Sequence, residues 1–102
     1  MGHVNIAVSL WRQGRTKEKC AQEAYFELCK YIPDLFDYVD DEKMEYYTVK
    51  EIRENKNILA KVTAYFTPYA SNNKDLSEES IEQGLLYGLA DDDYVYILDC
   101  HE

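Results

Sequence analysis

The stretch formed by residues 16–31, TKEKCAQEAYFELCKY, constrains the fold of this sequence more than any other. Its apolar side chains recur every three or four residues, so on a helix they share one broad face, and the charged side chains share the other. The apolar face is formed by Cys20, Ala21, Ala24, Tyr25, Leu28, Tyr31 and Ile32. We expect Thr16 to cap the start of this helix and Pro33 to end it. Such a helix needs a sheet or other helices to cover its apolar side.

Length and composition indicate one globular domain, residues 1–102. Hydrophobic residues make up 46% of the sequence and charged residues 30%, which is typical of a folded protein rather than a disordered one. No run approaches the roughly 18 apolar residues of a membrane span, and the first residues lack the pattern of a signal peptide. The three cysteines are an odd number, and we expect reduced thiols and a cytoplasmic location.

Alternating apolar and polar residues predict four strands. Residues 3–11 form the first strand and residues 94–100 the last. Between them, residues 44–53 and 58–67 are interpreted as a hairpin, because the polar linker that joins them contains two asparagines, which tolerate turn conformations. Residues 44–53 also fit the start of a helix, but their tyrosines, threonine and valine favour a strand.

A second helix is predicted to begin at Ser77. This residue is a suitable N-cap, and Leu76 and Ile81 can pack across it as a hydrophobic staple. The resulting order, β-α-β-β-α-β, predicts a ferredoxin-like α+β fold. Such a fold is a two-layer sandwich, with a four-stranded antiparallel sheet and both helices on one face.

Because both helices are expected on one face, the other face of the sheet is expected to be open. The side chains predicted to point away from the helices are Trp11, Tyr65, Tyr94, Tyr96 and Leu98. Tyr and Trp are enriched at protein interfaces, so this face predicts a homodimer or the docking of another protein. RNA binding is disfavoured, because the third strand lacks the expected glycine-and-aromatic signature and the protein is acidic. Two alternatives remain: a long side chain or the C-terminus covers this face, or a one-residue change of register exchanges the two faces.

The acidic charge is unevenly distributed along the sequence. The formal net charge is -9, and no Lys or Arg follows Lys74, although nine acidic residues do. Such a field repels nucleic acid and anionic membranes and attracts basic proteins. The ten tyrosines, many of them beside carboxylates, add flat amphipathic rings to this surface.

These features predict a small acidic protein-binding module, without catalysis, that blocks a basic partner such as a nuclease, a toxin or a nucleic-acid-handling complex. Immunity proteins and mobile-element-encoded anti-defence inhibitors are small acidic chains of this kind. The residues predicted to bind the partner are Asp40, Asp41, Glu42, Tyr46, Asp91, Asp92, Asp93 and Tyr94. The simplest alternative is that the acidic surface only keeps the protein in solution.

An alternative function places an anion at the turn between the first strand and the first helix. Arg12 and Arg15 precede a helix N-terminus, where backbone N–H groups and the helix dipole favour negative charge. The protein would then be a homodimeric small-molecule binder or a small enzyme, with Tyr65 and Tyr96 lining its pocket. The turn lacks the glycine-rich pattern of a phosphate loop, and the two arginines also fit simple charge balance.

No metal or cofactor is expected. The two histidines, His3 and His101, lie near the ends of the sequence. Consecutive residues of a strand point to opposite faces, so Cys100, His101 and Glu102 cannot chelate one ion together. Cys20 and Cys29 lie on or beside the apolar face of the first helix, where a thiol is usually inert.

Overall fold

The computed structural model describes residues 2–102 and has a mixed α+β fold with a four-stranded open sheet. In chain order the elements are β1 (His3–Ser9), α1 (Lys17–Cys29), β2 (Tyr38–Thr48), α2 (Val49–Glu54), a 3₁₀-helix (Lys56–Leu59), β3 (Val62–Phe66), α3 (Glu78–Ser80), a π-helix (Ile81–Leu85) and β4 (Tyr94–His101). Within residues 2–102, none of the helices combines the length and the apolar composition that crossing a bilayer requires.

The sheet is mixed, and its strand order is β2-β4-β1-β3. Strand β1 lies parallel to β3 and antiparallel to β4, and β4 is also antiparallel to β2. The prediction of a strictly antiparallel sheet is therefore wrong, and the ferredoxin-like strand order is not confirmed. The predicted hairpin would have placed the second and third strands side by side, whereas β2 pairs with β4 at one edge and β3 pairs with β1 at the other.

Helix α1 confirms the strongest prediction from the sequence. The side chain of Thr16 accepts a hydrogen bond from the backbone N–H of Lys19 at 3.1 Å, so Thr16 is the N-cap, as expected. The buried residues of the helix are Cys20, Ala24 and Leu28. They pack against side chains of β1, β3 and β4 and form one of the two hydrophobic clusters of the protein.

The predicted strand over residues 44–53 is only partly correct, because β2 ends at Thr48 and α2 begins at once. Thr48 and Glu51 form a capping box. The Thr48 hydroxyl oxygen accepts from the Glu51 backbone N–H at 3.1 Å, and the Glu51 carboxylate accepts from the Thr48 backbone N–H at 2.9 Å. This pair satisfies N–H groups that the start of a helix leaves open, so the chain becomes helical although its residues favour a strand. Helical segments, and no hairpin turn, therefore lead from β2 to β3.

Helical segments cover both faces of the sheet. Neighbouring residues on a strand point to opposite faces, and Ile6 and Ala7 accordingly belong to different hydrophobic clusters. On the first face, the sheet residues that pack with α1 include Ile6, Val8, Ala64, Phe66, Tyr96 and Leu98. On the second face, Ala7, Tyr65, Val95 and Ile97 pack with residues of α2 and of the π-helix. The prediction that both helices lie on one face is therefore wrong.

The expected open face does not exist among the described residues 2–102. Tyr65 is 2% exposed, Tyr96 1% and Leu98 0%. Tyr65 does lie on the face opposite α1, but Ser80 of α3 and residues of the π-helix cover it, whereas the error for Tyr96 and Leu98 arose in β4. Residues directly opposite each other in a sheet share a face, and Leu98 pairs with Ile6, so Tyr96 and Leu98 lie under α1 and not away from it. The predicted homodimer therefore lacks the open face through which its two copies were expected to associate.

Candidate functional site

A cleft of about 540 Å³ opens on the second face, between the loop that follows β3 and the segment of α3 and the π-helix. The loop is held against the edge strand by its backbone. Tyr65 and Asn73 exchange two backbone hydrogen bonds, of 2.9 and 3.0 Å. Ser77 then starts α3 as its N-cap, as the sequence predicts, by accepting from the backbone N–H of Ser80. These local bonds set the two walls of the cleft at a fixed separation.

The floor of the cleft is Tyr65. Its hydroxyl group lies 2.8 Å from Ser80 Oγ and accepts a hydrogen bond from Asn73 Nδ2 at 3.0 Å, so it joins the loop to the helical wall. Gly84 leaves room for this ring, because a Cβ at position 84 would lie 2.2 Å from the Tyr65 hydroxyl oxygen. The π-helix that contains Gly84 is a geometry often found at functional sites.

Aromatic rings form the upper walls. Trp11 and Tyr69 meet edge to face, with ring centroids 5.2 Å apart. Tyr69 is 75% exposed and Tyr87 65% exposed, and both line the cleft. Exposed rings of this size offer flat, rigid contact area to a ligand at little cost in conformational entropy.

The cleft is negatively charged. Its lining contains Asp75 and Glu79 but no Lys, Arg or His. Oδ1 of Asp75 accepts the backbone N–H of Ser77 at 3.1 Å, which leaves Oδ2 available. The carboxylate of Glu79 has no hydrogen-bond or ion-pair partner within residues 2–102. Aromatic faces and unpaired carboxylates both favour a cation, so the cleft suits a guanidinium or ammonium group.

A scan of protein-family models, a search of curated proteins and a search of solved structures find no match to this chain.

The residues predicted to bind a partner lie outside this cleft, in three places: the Tyr46–Tyr94 pair, the acidic turn before β4 and the irregular part of β2. Tyr46 and Tyr94 meet edge to face, with ring centroids 5.7 Å apart, where β2 ends and β4 begins. Lys17 already occupies this pair. Its Nζ lies 4.2 Å from the centre of the Tyr46 ring and donates a hydrogen bond to the Tyr46 hydroxyl at 3.0 Å, which raises the pKa of Lys17. A cation from a partner would have to displace Lys17 from these rings.

The acidic turn before β4 is partly engaged by the protein itself. Asp91 pairs with Arg53 at 3.3 Å, and Asp93 accepts the backbone N–H of Ala90 at 2.8 Å. Arg53 also binds Glu82 at 2.8 Å, and this pairing lowers the pKa of Glu82. Asp92 is exposed and has no side-chain partner within residues 2–102. Of the three aspartates, Asp92 is therefore the one most available to a partner.

The other acidic group lies in the irregular part of β2. The pairing of β2 with β4 is interrupted between Asp40 and Glu45, and Asp40 faces Asp99 across the sheet. One oxygen of Asp40 accepts the backbone N–H of Glu42 at 2.9 Å. Asp41 and Glu42 are exposed, and neither of their carboxylates has a partner within residues 2–102.

The turn proposed for an anion holds its two arginines in internal contacts. Arg15 donates to the Glu23 carboxylate and to the backbone oxygen of Trp11. Nε of Arg12 and Nε of Arg15 each donate to the other residue's carbonyl oxygen at 3.1 Å. An anion at this turn would compete with Glu23 for Arg15, and this site remains a prediction.

Two of the three thiols, Cys20 on α1 and Cys100 on β4, are buried where α1 packs on the sheet. Burial, followed by the charge of Asp99, raises the pKa of Cys100 to about 12, and burial also raises the pKa of Cys20. Both are therefore protonated thiols at neutral pH, the unreactive form.

The sequence analysis missed two assemblies. The cleft depends on the loop after β3 and on the helical segment opposite it. The signals in the sequence were the polar composition of this loop and the presence of Gly84 in the predicted second helix. The group formed by His3, Asp99 and His101 was missed because His3 lies 96 positions before Asp99. Only the pairing of β1 with β4 brings them together. The two-residue spacing of Asp99 and His101 was the available signal.

Proposed function

We propose that the protein is a non-catalytic module that binds a basic segment of another protein, with an Arg or Lys side chain of that segment in the cleft. The observation that carries this proposal is the lining: Trp11, Tyr69 and Tyr87 together with two carboxylates, and no basic side chain. A guanidinium group fits this lining best, since it stacks on aromatic faces and forms two parallel hydrogen bonds to one carboxylate.

The residues predicted from the sequence have the second role in this proposal. Asp41, Glu42 and Asp92 would attract the partner over a distance and contact its flanking basic residues. The net charge of -9 supports such steering, because an acidic field raises the association rate of a basic partner and loses this effect as salt is added. Tyr46 and Tyr94 would join the contact only after Lys17 moves away.

A finer proposal concerns the consequence of binding. We propose that the module inhibits its partner, a nuclease, a toxin or a nucleic-acid-handling complex, by placing carboxylates where phosphates would bind. An inhibitor of this kind would abolish the partner's activity at a one-to-one ratio. A module that only recruits its partner would leave that activity unchanged, and this measurement separates the two roles.

Binding of a basic segment can be tested with a tetra-arginine peptide and a matched tetra-citrulline peptide, which has nearly the same shape without the charge. Trp11 is the only tryptophan and lines the cleft, so its fluorescence reports on that site directly. We expect the arginine peptide to change the emission of Trp11 and to release or absorb heat in calorimetry. The citrulline peptide should do neither.

Two isosteric variants locate the binding surface. Glu79→Gln removes a charge inside the cleft, and Asp92→Asn removes a charge at another exposed position outside it. We expect Glu79→Gln to weaken binding about tenfold, the effect of losing one charge-assisted hydrogen bond, and Asp92→Asn to weaken it much less. The opposite order would move the site to the turn before β4. Equal binding of the arginine and citrulline peptides would reject the proposal.

A further inference from the structure

The end of the second face that α2 and the π-helix leave uncovered carries polar residues in place of apolar ones. His3 on β1 is the direct partner of His101 on β4, and Asn5 is the direct partner of Asp99. Residues 99 and 101 are two apart on one strand, so their side chains share a face. Pairing of the first and last strands therefore brings two imidazoles and a carboxylate to one spot.

The three side chains are close enough to share one ion. Their potential ligand atoms all lie within 4.8 Å of one another. His3 Nδ1 is 3.1 Å from both Asp99 oxygens, and His101 Nε2 is 3.9 Å from Asp99 Oδ2. In a tetrahedral zinc site with bonds of about 2.0–2.1 Å, ligand atoms lie about 3.4 Å apart. The side chains would rotate to bring the most distant of these atoms, at most 4.8 Å apart, to that separation.

One ligand atom at this spot is otherwise unsatisfied. His101 Nε2 is buried and has no hydrogen-bond partner among residues 2–102. A buried polar atom without a partner costs free energy, so such atoms in native proteins need an explanation. Coordination of a metal ion by His101 Nε2 would supply the missing interaction.

The surroundings of the group orient the ligands. The ring of Tyr38 meets the His101 ring edge to face, with centroids 5.2 Å apart, and so restrains its orientation. Lys43 Nζ lies 3.9 Å from Asp99 Oδ2 and competes with a cation for this carboxylate. Its side chain is 65% exposed, so it can move aside. Asp40 lies directly opposite Asp99 on the neighbouring strand β2 and adds negative charge nearby.

We propose that His3, Asp99 and His101 bind a divalent transition-metal ion of the Zn²⁺ type, contrary to the expectation from the sequence. Two imidazole nitrogens and one carboxylate oxygen are a ligand set that suits Zn²⁺ and its first-row neighbours, whereas Mg²⁺ and Ca²⁺ prefer oxygen ligands. Three protein ligands leave a fourth position for water or for a group on another molecule. The ion would also connect β1 to β4, and so stabilise the pairing of the chain's first and last strands.

The test titrates tag-free protein with Zn²⁺ and follows heat, the melting temperature and the imidazole signals in NMR. The sequence has only two histidines, so each signal can be assigned from one variant. We expect one ion per chain, shifts of both imidazole signals, and an increase in Tm on the order of 10 °C at a Zn²⁺ concentration about 100 times Kd. The titration uses Zn²⁺ as the probe instead of Cu²⁺, because copper also binds deprotonated backbone amides beside a single histidine.

Variants make this result specific. His101→Gln, His3→Gln and Asp99→Asn should each weaken Zn²⁺ binding at least about tenfold, while the control Asp41→Asn should not change it. Lys43→Met should strengthen binding, because it removes the competing ammonium group. His3 is 59% exposed, so His3→Gln serves if a change at position 101 prevents folding. No heat of binding, or binding that is unchanged in His3→Gln, would reject the site; a simple His–Asp ion pair would give this outcome.

Discussion

The two faces of the sheet are covered in different ways. One continuous helix of 13 residues, α1, covers the first face, whereas α2, a 3₁₀-helix and a π-helix of four to six residues each share the second. A single helix packs its apolar side along the strands. Short segments do not close the second face completely, and the cleft lies beside the π-helix, with the loop after β3 as its opposite wall. The comparison teaches that the face assembled from short pieces is the one that carries the cleft.

The largest expected effects come from truncating a buried leucine on each face. Leu28 and Leu85 are both 0% exposed. Leu28→Ala and Leu85→Ala should each lower the free energy of unfolding by about 3 kcal/mol, because each leaves a cavity in a packed cluster. Urea denaturation measures both. A cost at Leu85 well below that at Leu28 would show that the second face is loosely packed, and would break the view of two complete clusters.

A smaller effect is expected at Gly84, which lies close to the Tyr65 ring on the second face. Gly84→Ala should lower the free energy of unfolding by about 2 kcal/mol, because the new Cβ collides with the Tyr65 hydroxyl. The same substitution should cost less in a Tyr65→Phe background, where the nearest atom is removed, and a double-mutant cycle measures this coupling. Gln83→Ala, at the exposed neighbouring position, is the control. Additive costs would contradict the contact.

The next smaller losses of stability are expected at the helix caps, one on each face of the sheet. Thr48→Ala should lower the free energy of unfolding by about 1 kcal/mol, and Thr16→Ala by somewhat less. The difference follows from the partners. Thr48 and Glu51 bond reciprocally at α2, whereas Thr16 accepts one bond at α1. Chemical denaturation of both variants, with Ser71→Ala at an exposed loop position as the control, checks the order. Equal costs would indicate that the reciprocal bond adds nothing.

The smallest expected effect concerns the loss of folding stability at low pH. Hydrogen bonds from Lys61 and Tyr47 lower the pKa of Glu45, and bonds from Arg53 lower that of Glu82, from the ordinary value of 4.5. A carboxylate with a lowered pKa in the folded state stabilises fully above its unfolded value, and this contribution disappears as pH falls through the folded value. Glu45→Gln and Glu82→Gln should therefore reduce the loss of stability below pH 4.5, by about 0.5 kcal/mol each. Unfolding curves at several pH values test this. An unchanged acid dependence would show that these exposed pairs contribute nothing.

Much of the local structure could be predicted from the sequence. The apolar spacing in α1, its cap at Thr16 and the cap of α3 at Ser77 were all found, because each signal lies within a few residues of its effect. The first and last strands were found for the same reason. The turn from β2 into α2 was missed, because the β-forming residues Tyr46 and Tyr47 stand directly before the capping box.

The candidate sites were not predictable in the same way. The carboxylates of the acidic turn were identified by composition, but their engagement by Arg53 depends on a contact across 38 positions. Likewise, Tyr65 was expected at an open face, whereas Gly84 and Ser80 enclose it. No local pattern encodes such contacts, because they form only after the chain has chosen which segments pack together.

The sequence by itself determined where α1 and α3 begin, how acidic the protein is, and which side of α1 is apolar. Periodicity and capping act between residues three or four apart, so they hold whatever the rest of the chain does. Only the tertiary structure decided which strand pairs with β4, and hence which way Tyr96 and Leu98 point, since the side-chain period of two reverses both faces when pairing changes by one residue. That same pairing brought His3 to Asp99 and His101, and the covering of the second face by short segments created the cleft.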